Sequence, residues 1–178
     1  MTIKKINTGK LFACLDETSS KLITSVDAVD VHTFNSVPFA NSWTAAQVMV
    51  HVIKSNLTIA KALKLEGKII EREPDERVDE LKELFLDFTI KFQSPEFILP
   101  PESWYNKEQL ENDFLQSMDQ LEEEALQMNL SEAISHEAFG EITKLELLYF
   151  VLFHTQRHIH QLQDIITHFF TKKDRTDL

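Results

Sequence analysis

Two histidines in the segment HTQRH, His154 and His158, stand four residues apart within an otherwise apolar helical stripe. At this spacing two side chains lie one above the other on a helix, about one turn apart, so both rings can reach one cation. Burying two neutral imidazoles costs desolvation free energy unless they find partners. The spacing alone leaves three alternatives open: hydrogen-bonded core residues, a pH-sensitive patch or half of a metal site.

A third histidine, His51, could complete such a site from another part of the chain. It lies close to the apolar stripe of the second helical segment, so a bundle in which the second and last helices face each other would place it opposite the pair. Three histidine ligands leave at least one coordination position open, which is typical of a catalytic metal. The alternative is that the three rings bond to one another, to Ser55 or to buried water.

The other histidine patterns do not fit the metal motifs they resemble. His160 lies about 200° around the helix from His158, so the two cannot share a site. The segment HEAFG at 136–140 begins like the zinc motif H-E-x-x-H, but Gly140 occupies the second histidine position. A di-iron carboxylate bundle needs Glu-x-x-His pairs, and no histidine of this chain has a glutamate three residues before it.

The helical spacing of apolar residues predicts the elements that position these histidines. Four long helices are expected near 8–30, 44–66, 106–128 and 143–170, with a shorter helix near 75–92 and no sheet. The chain has only 3 glycines and 5 prolines, which is few for a strand-rich protein. We therefore predict an all-α four-helix bundle, in which the long connection between the second and third long helices carries the extra short helix.

Local signals mark the ends of these elements. Thr44 precedes Gln47, and Thr143 precedes Glu146, in the capping-box spacing that starts a helix. Gly67 is expected to stop the second helix. The proline-rich segment QSPEFILPPESW must be irregular, and we expect it to form part of the wall of a pocket.

The composition argues against several classes of partner. A net charge of −11 repels phosphate backbones, so we expect no nucleic-acid partner. The single cysteine cannot form an intrachain disulfide or a cysteine-rich zinc site. No stretch approaches about 18 consecutive apolar residues, so we expect no membrane partner, and the N-terminus lacks the apolar region of a signal peptide. These features predict one domain over residues 1–178 and a cytoplasmic location.

Two segments together resemble motifs of the DinB/YfiT-like superfamily. SWTAAQVMVHVIKS resembles the signature of its second helix, where a tryptophan and a capped start precede an inward-facing histidine. HEAFGEITKLELLYFVLFHTQRHIHQL resembles the signature of its last helix, which carries H-x3-H followed by Gln-Leu. The matching positions here are His51, His154 and His158. The order of the helices and the long middle connection extend the resemblance to nearly the whole chain.

The resemblance implies a DinB-like four-helix bundle with a three-histidine site for a divalent metal, often zinc or nickel. Some relatives are transferases or isomerases that use bacillithiol, mycothiol or glutathione, and many have no established reaction. For this chain it implies a small-molecule substrate and, if the chain resembles the thiol-dependent relatives, a low-molecular-weight thiol as co-substrate. A homodimer is a further expectation.

The leading hypothesis is an enzyme in which a metal held by three histidines lowers the pKa of a bound thiol or water. A thiolate would attack an electrophilic carbon, whereas a hydroxide would hydrolyse a bond. No general base can be assigned, and no buried carboxylate is evident near the histidine stripe, which favours the thiol because it brings its own nucleophile. The alternative from a different class is a metal- or ligand-binding bundle without turnover.

Overall fold

The computed structural model describes residues 8–176, and the side chains of residues 8–171. Within that range the helices are α1 (Thr8–Asp27), α2 (Ala45–Leu63), α3 (Val78–Leu86), α4 (Lys107–Gln127) and α5 (Lys144–Thr176). The strands are β1 (Lys68–Ile69), β2 (Glu132–His136) and β3 (Gly140–Thr143), and a single 3-10 turn spans Glu96–Ile98.

Four of the helices form a bundle. α2 packs against both α4 and α5, and α1 packs against α5, while α3 lies on α5 from within the long connection between α2 and α4. The predicted all-α four-helix bundle with an extra short helix is therefore confirmed. None of the helices in residues 8–176 combines the length and the apolar character needed to cross a bilayer.

Apolar side chains fill the bundle in two clusters, and the polar site falls between them. On α5 the buried residues of the first cluster end at Phe153, and those of the second begin at Leu162. Both clusters also take residues from α2, the helix that faces α5. His154 and His158 thus occupy the stretch of α5 that separates two apolar regions.

The expectation that the chain has no sheet is wrong. Three short strands pair antiparallel in the order β1–β2–β3, with Lys68 opposite Ala133. The segment HEAFG forms the connection of the β2–β3 hairpin, where His136 pairs with Gly140. Gly140 has a φ of 65°, a left-handed conformation that favours glycine. Because the segment is a hairpin and not a helix, it cannot present the two ligands of the zinc motif on one helical face.

Gly67 has a different role from the one that the sequence indicates. α2 already ends at Leu63, three residues before the predicted end, and Gly67 lies beyond it. A Cβ at Gly67 would stand 2.7 Å from the Cβ of Glu132, closer than two such atoms approach each other. The glycine therefore allows the chain entering β1 to pass close to β2.

α3 is shorter than the predicted helix at 75–92. The Oδ1 atom of Asp87 accepts hydrogen bonds from the backbone N–H and the hydroxyl of Thr89, at 2.9 and 2.6 Å, and this local turn ends the helix. Phe88 and Phe92 consequently lie outside it, with 44% and 43% of their surfaces exposed. The bounds of α1 and α5 also differ from prediction, since α1 ends at Asp27 and α5 extends past residue 170.

The two predicted capping boxes are present. Thr44 caps α2 by accepting a hydrogen bond from the N–H of Gln47, whose side chain accepts one from the N–H of Thr44. At the start of α5, Thr143 and Glu146 make the same reciprocal pair. These caps fix the first turns of the two helices that carry the three candidate histidines.

Candidate metal centre

The three histidines singled out from the sequence come together in the structure. His51 projects from α2, and His154 and His158 project from α5, so the site spans the contact between these two helices. One ring nitrogen from each residue lies within 4.8 Å of the others. All three side chains are buried, with exposed fractions of 2%, 6% and 7%.

Hydrogen bonds at the far side of two rings determine which nitrogen points inward. The Nδ1 of His51 lies 3.1 Å from the carbonyl oxygen of Ile98, and the Nδ1 of His158 lies 2.8 Å from the side-chain oxygen of Gln161. Both oxygens can only accept, so both Nδ1 atoms carry the hydrogen. A neutral imidazole then has a lone pair on Nε2, and each of these lone pairs faces the shared point.

His154 stands at the centre of the group. Its Nε2 lies 3.1 Å from the Nε2 of His51 and 3.1 Å from the Nε2 of His158. Its Nδ1 is buried and has no hydrogen-bond partner among the described residues. A single proton on the Nε2 of His154 could satisfy one neighbour only, and a proton on Nδ1 would satisfy neither.

The proton count therefore leaves at least one inward lone pair without a donor. A buried polar atom without a partner costs on the order of 1–3 kcal/mol. A divalent cation would accept all three lone pairs, and imidazole nitrogen is a good ligand for zinc and nickel. The residues present thus fit a divalent metal ion, with His51, His154 and His158 as its ligands.

The protonation state of the rings agrees with this chemistry. Burial disfavours the charged form and lowers the pKa of His51 below its ordinary value. Burial, reinforced by the neighbouring histidines, lowers the pKa of His154 well below 6.5, and burial lowers that of His158 to about 3. Neutral imidazole is the form that binds metals, so the site does not need to release protons from these rings near neutral pH.

Aromatic rings line the site. Trp43 lies against His51 with ring centroids 4.9 Å apart. Phe150 and Phe85 approach His154, with centroid distances of 5.0 and 6.2 Å. These contacts give the histidines a mostly apolar surrounding, which strengthens electrostatic interactions inside it.

The irregular crossing between α3 and α4 reaches the site through its backbone. Besides the Ile98 carbonyl that accepts from His51, the Leu99 carbonyl accepts a hydrogen bond of 2.8 Å from the ammonium group of Lys54. Further along, Trp104 is 73% exposed and lines a separate cavity of about 380 Å³ that contains none of the three histidines. Another cavity of about 390 Å³ lies between α1 and α4, also away from them.

Arg157 binds the backbone where the crossing begins, at the end of α3. Its guanidinium donates hydrogen bonds to the carbonyl oxygens of Phe85 and Asp87, at 3.2 and 3.0 Å, and to that of Ile90. It also lies over the ring of Phe92, 4.7 Å from the centroid. Carbonyls at the end of a helix lack intrahelical partners, so Arg157 satisfies the end of α3.

His160 and His136, which the sequence analysis excluded from the metal site, lie outside the three-histidine cluster. His160 stacks on Phe88 with centroids 4.0 Å apart, and its Nδ1 lies 3.5 Å from Asp164. His136 stacks on Phe139 in the β2–β3 hairpin. Neither ring belongs to the three-histidine group.

The expectation that no carboxylate is buried near the histidine stripe needs correction. Glu146 is fully buried on α5, about two turns before His154. It binds the guanidinium of Arg72 through both oxygens, at 2.6 and 2.7 Å. The capping-box spacing indicates the glutamate, but its burial depends on an arginine 74 residues away, which local patterns do not reveal.

Comparison with known proteins gives one result. A family model described as the DinB superfamily matches residues 15–162, a range that contains all three histidines of the cluster. No curated protein and no solved structure matches the chain. Because the matched range covers well over half of the 178 residues, the chain belongs to the DinB superfamily.

Proposed function

We propose that this protein is a divalent-metal-dependent enzyme in which His51, His154 and His158 hold the ion. The observation that carries the proposal is the convergence of three Nε2 atoms, two of which are turned inward by Nδ1–H hydrogen bonds. Three protein ligands leave a position open for a substrate or co-substrate. Imidazole nitrogen suits zinc and nickel, which are the metals that the resemblance to the DinB/YfiT-like superfamily implies.

The reaction we propose is thiol-dependent transfer or isomerisation on a small-molecule electrophile. A divalent ion, when bound, lowers the pKa of a thiol or water that coordinates it. The chain itself keeps the imidazoles neutral, aims their Nε2 atoms and surrounds them with the rings of Trp43, Phe85 and Phe150. No carboxylate of residues 8–171 bonds to the three imidazoles, which supports a co-substrate that brings its own nucleophile.

One observation favours a different class of function. The three histidines are almost completely buried, and neither of the two cavities described above contains any of them. A closed site of this kind also suits a bundle that binds a metal or ligand without turnover. Metal-dependent hydrolysis is the other alternative, in which the activated group is water in place of a thiol.

Elemental analysis of the purified protein is the first test. We expect close to one equivalent of zinc or nickel per chain after loading, and none in His158→Ala. His160→Ala is the matched control, because it removes a histidine from the same helix outside the cluster and should keep the metal. A wild-type protein that binds no divalent metal after loading contradicts the proposal.

Cobalt-loaded protein then separates the reaction classes. Adding low-molecular-weight thiols should produce a thiolate-to-cobalt absorption band, and the same thiols should react with electrophiles faster in the presence of the protein. Cobalt binding without any thiol effect would favour hydrolysis or simple binding. Hydrolysis of an ester panel, or its absence, decides between those two.

A further inference from the structure

Two side chains of α2 hold the backbone of the irregular crossing. His51 donates from Nδ1 to the Ile98 carbonyl at 3.1 Å, and Lys54, three residues later, donates from its ammonium group to the Leu99 carbonyl at 2.8 Å. Residues three apart on a helix lie on the same face. A candidate metal ligand and a lysine therefore bind adjacent carbonyls of the same short segment.

Among the described residues, few other hydrogen bonds hold the backbone of this segment. It consists of the 3-10 turn Glu96–Ile98, closed by hydrogen bonds from the N–H groups of Ile98 and Leu99 to the carbonyls of Pro95 and Glu96, both 3.1 Å. Proline lacks an N–H group, so Pro95 and Pro100 cannot donate backbone hydrogen bonds on either side. Other hydrogen bonds on the crossing are those between Asn35 and the backbone of Tyr105, that from the Tyr105 hydroxyl to the Pro101 carbonyl at 2.9 Å, and that from Arg157 to the Ile90 carbonyl.

The Ile98 carbonyl matters because it selects the tautomer of His51. As long as that oxygen accepts from Nδ1, the hydrogen stays on Nδ1 and the lone pair of Nε2 faces His154. If the carbonyl moved away, the hydrogen could reside on either nitrogen, and a ring with the hydrogen on Nε2 cannot be a ligand through that atom. Groups that orient a ligand in this way affect metal affinity strongly.

We infer that Lys54 is a positioning residue for the three-histidine site. By binding the Leu99 carbonyl it keeps the neighbouring Ile98 carbonyl against His51, and so fixes the inward direction of the His51 Nε2. Where the inference concerns metal affinity, it rests on the proposed function. The part that concerns the tautomer of His51 applies to the metal-free protein as well.

Nitrogen NMR of metal-free protein carrying 15N-labelled histidine tests the inference without activity. The two ring nitrogens of His51 should show the Nδ1–H tautomer in wild type. In Lys54→Met both tautomers should be populated, whereas Lys54→Arg, which keeps a charged donor, should restore the wild-type pattern. Lys61→Met is the matched control, because Lys61 is an exposed lysine of the same helix without a hydrogen bond or ion pair among the described side chains.

Cobalt titration of the same variants gives the second measurement. Lys54→Met should bind cobalt about 10-fold more weakly than wild type, and Lys54→Arg and Lys61→Met should stay close to wild type. A single Nδ1–H tautomer together with unchanged affinity in Lys54→Met would overturn the inference. If Lys54→Met does not fold, Lys54→Gln takes its place, because its amide reaches less far than the lysine ammonium group. Both tautomers of His51 should then be populated in Lys54→Gln.

The two proposals fail in different ways. A wild-type protein that binds no cobalt rejects the proposed function, while the tautomer of His51 in the metal-free variants still decides the role of Lys54. Conversely, a wild-type protein that binds cobalt, with a tautomer and affinity that do not depend on Lys54, leaves the proposed function standing and rejects the positioning role.

Discussion

Two buried polar clusters on α5, about two turns apart, differ in how fully their atoms are bonded. Glu146 is fully buried, and its two carboxylate oxygens accept from both terminal nitrogens of Arg72 and from the N–H groups of Arg77 and Thr143. In the cluster of His51, His154 and His158, three inward nitrogens share at most one proton.

We interpret the difference as that between a structural network and the proposed metal site. The glutamate network is complete without any further group, and it joins the start of α5 to the chain before α3. Within the part of the chain that the structure describes, the histidine cluster is incomplete, because at least one lone pair lacks a donor and the Nδ1 of His154 has no partner. Buried polar atoms are almost always bonded in folded proteins, so the incomplete cluster supports the proposed metal site.

Removing the glutamate charge should have the largest effect on stability. Breaking one partner of a buried ion pair costs about 3–5 kcal/mol, since the other charge remains without compensation. We expect Glu146→Gln to lose roughly 3 kcal/mol of unfolding free energy in urea titrations at pH 7. Glu80→Gln is the control, because that carboxylate pairs with Arg77 at the surface, and its loss should stay below about 1 kcal/mol. Equal losses in the two variants would contradict the comparison.

Metal should stabilise the protein by a comparable amount, but only through the histidine cluster. The apolar clusters do not depend on the ion, so we expect the metal-free protein to keep its helicity. At a free metal concentration of 100 times the dissociation constant, binding to the native state adds about 2.7 kcal/mol. Chelation should remove this increment in wild type and in His160→Ala, as measured by thermal unfolding. His158→Ala should show no increment, and if it unfolds outright the metal is structural.

The glutamate network also predicts the behaviour in acid. Burial acts to raise the pKa of Glu146, but hydrogen bonds from Arg72, Thr143 and Arg77 outweigh it, and the folded-state pKa lies below the ordinary 4.5. A lowered carboxyl pKa contributes stability that is complete above the unfolded-state value and is lost as pH falls through the folded-state value. The stability gap between wild type and Glu146→Gln should therefore be widest near neutral pH and shrink below about pH 4.5. Urea titrations of both proteins across this pH range measure the gap, and a gap that widens as the pH falls would contradict the prediction.

The helical parts of this architecture could be predicted from sequence because their signals are local. The i, i+4 spacing of His154 and His158 and the two capping boxes depend on residues a few positions apart. The sheet could not be predicted in the same way, since β1 has two residues and pairs across more than sixty positions of chain. Strands this short carry too little alternation to stand out.

The groups that surround the three histidines could not be predicted from the sequence for a related reason. The group that orients His51 is the backbone carbonyl of Ile98, and a carbonyl leaves no trace in side-chain patterns. The partner of Glu146 lies across the long connection, so its complete bonding also depends on the fold. The end of α3 could have been predicted from the sequence, because aspartate, here Asp87, is a known turn residue whose side chain bonds the backbone N–H two residues later.

The smallest expected effect is the sharpest test of the difference between the clusters. His154→Leu replaces a buried ring that has an unpartnered nitrogen by an apolar side chain of similar size. Removing an unsatisfied polar atom offsets the loss of ring contacts with Phe85 and Phe150, so metal-free stability should change by no more than about 1 kcal/mol.

The matched change in the complete network, Glu146→Leu, leaves the charge of Arg72 without a partner and should cost about 3 kcal/mol or more. Urea titration of both metal-free variants measures these values, and zinc added to His154→Leu should give no stabilisation. A loss of several kcal/mol in His154→Leu without metal would mean that the three imidazoles already satisfy one another, and the cluster would then be a core network like that of Glu146.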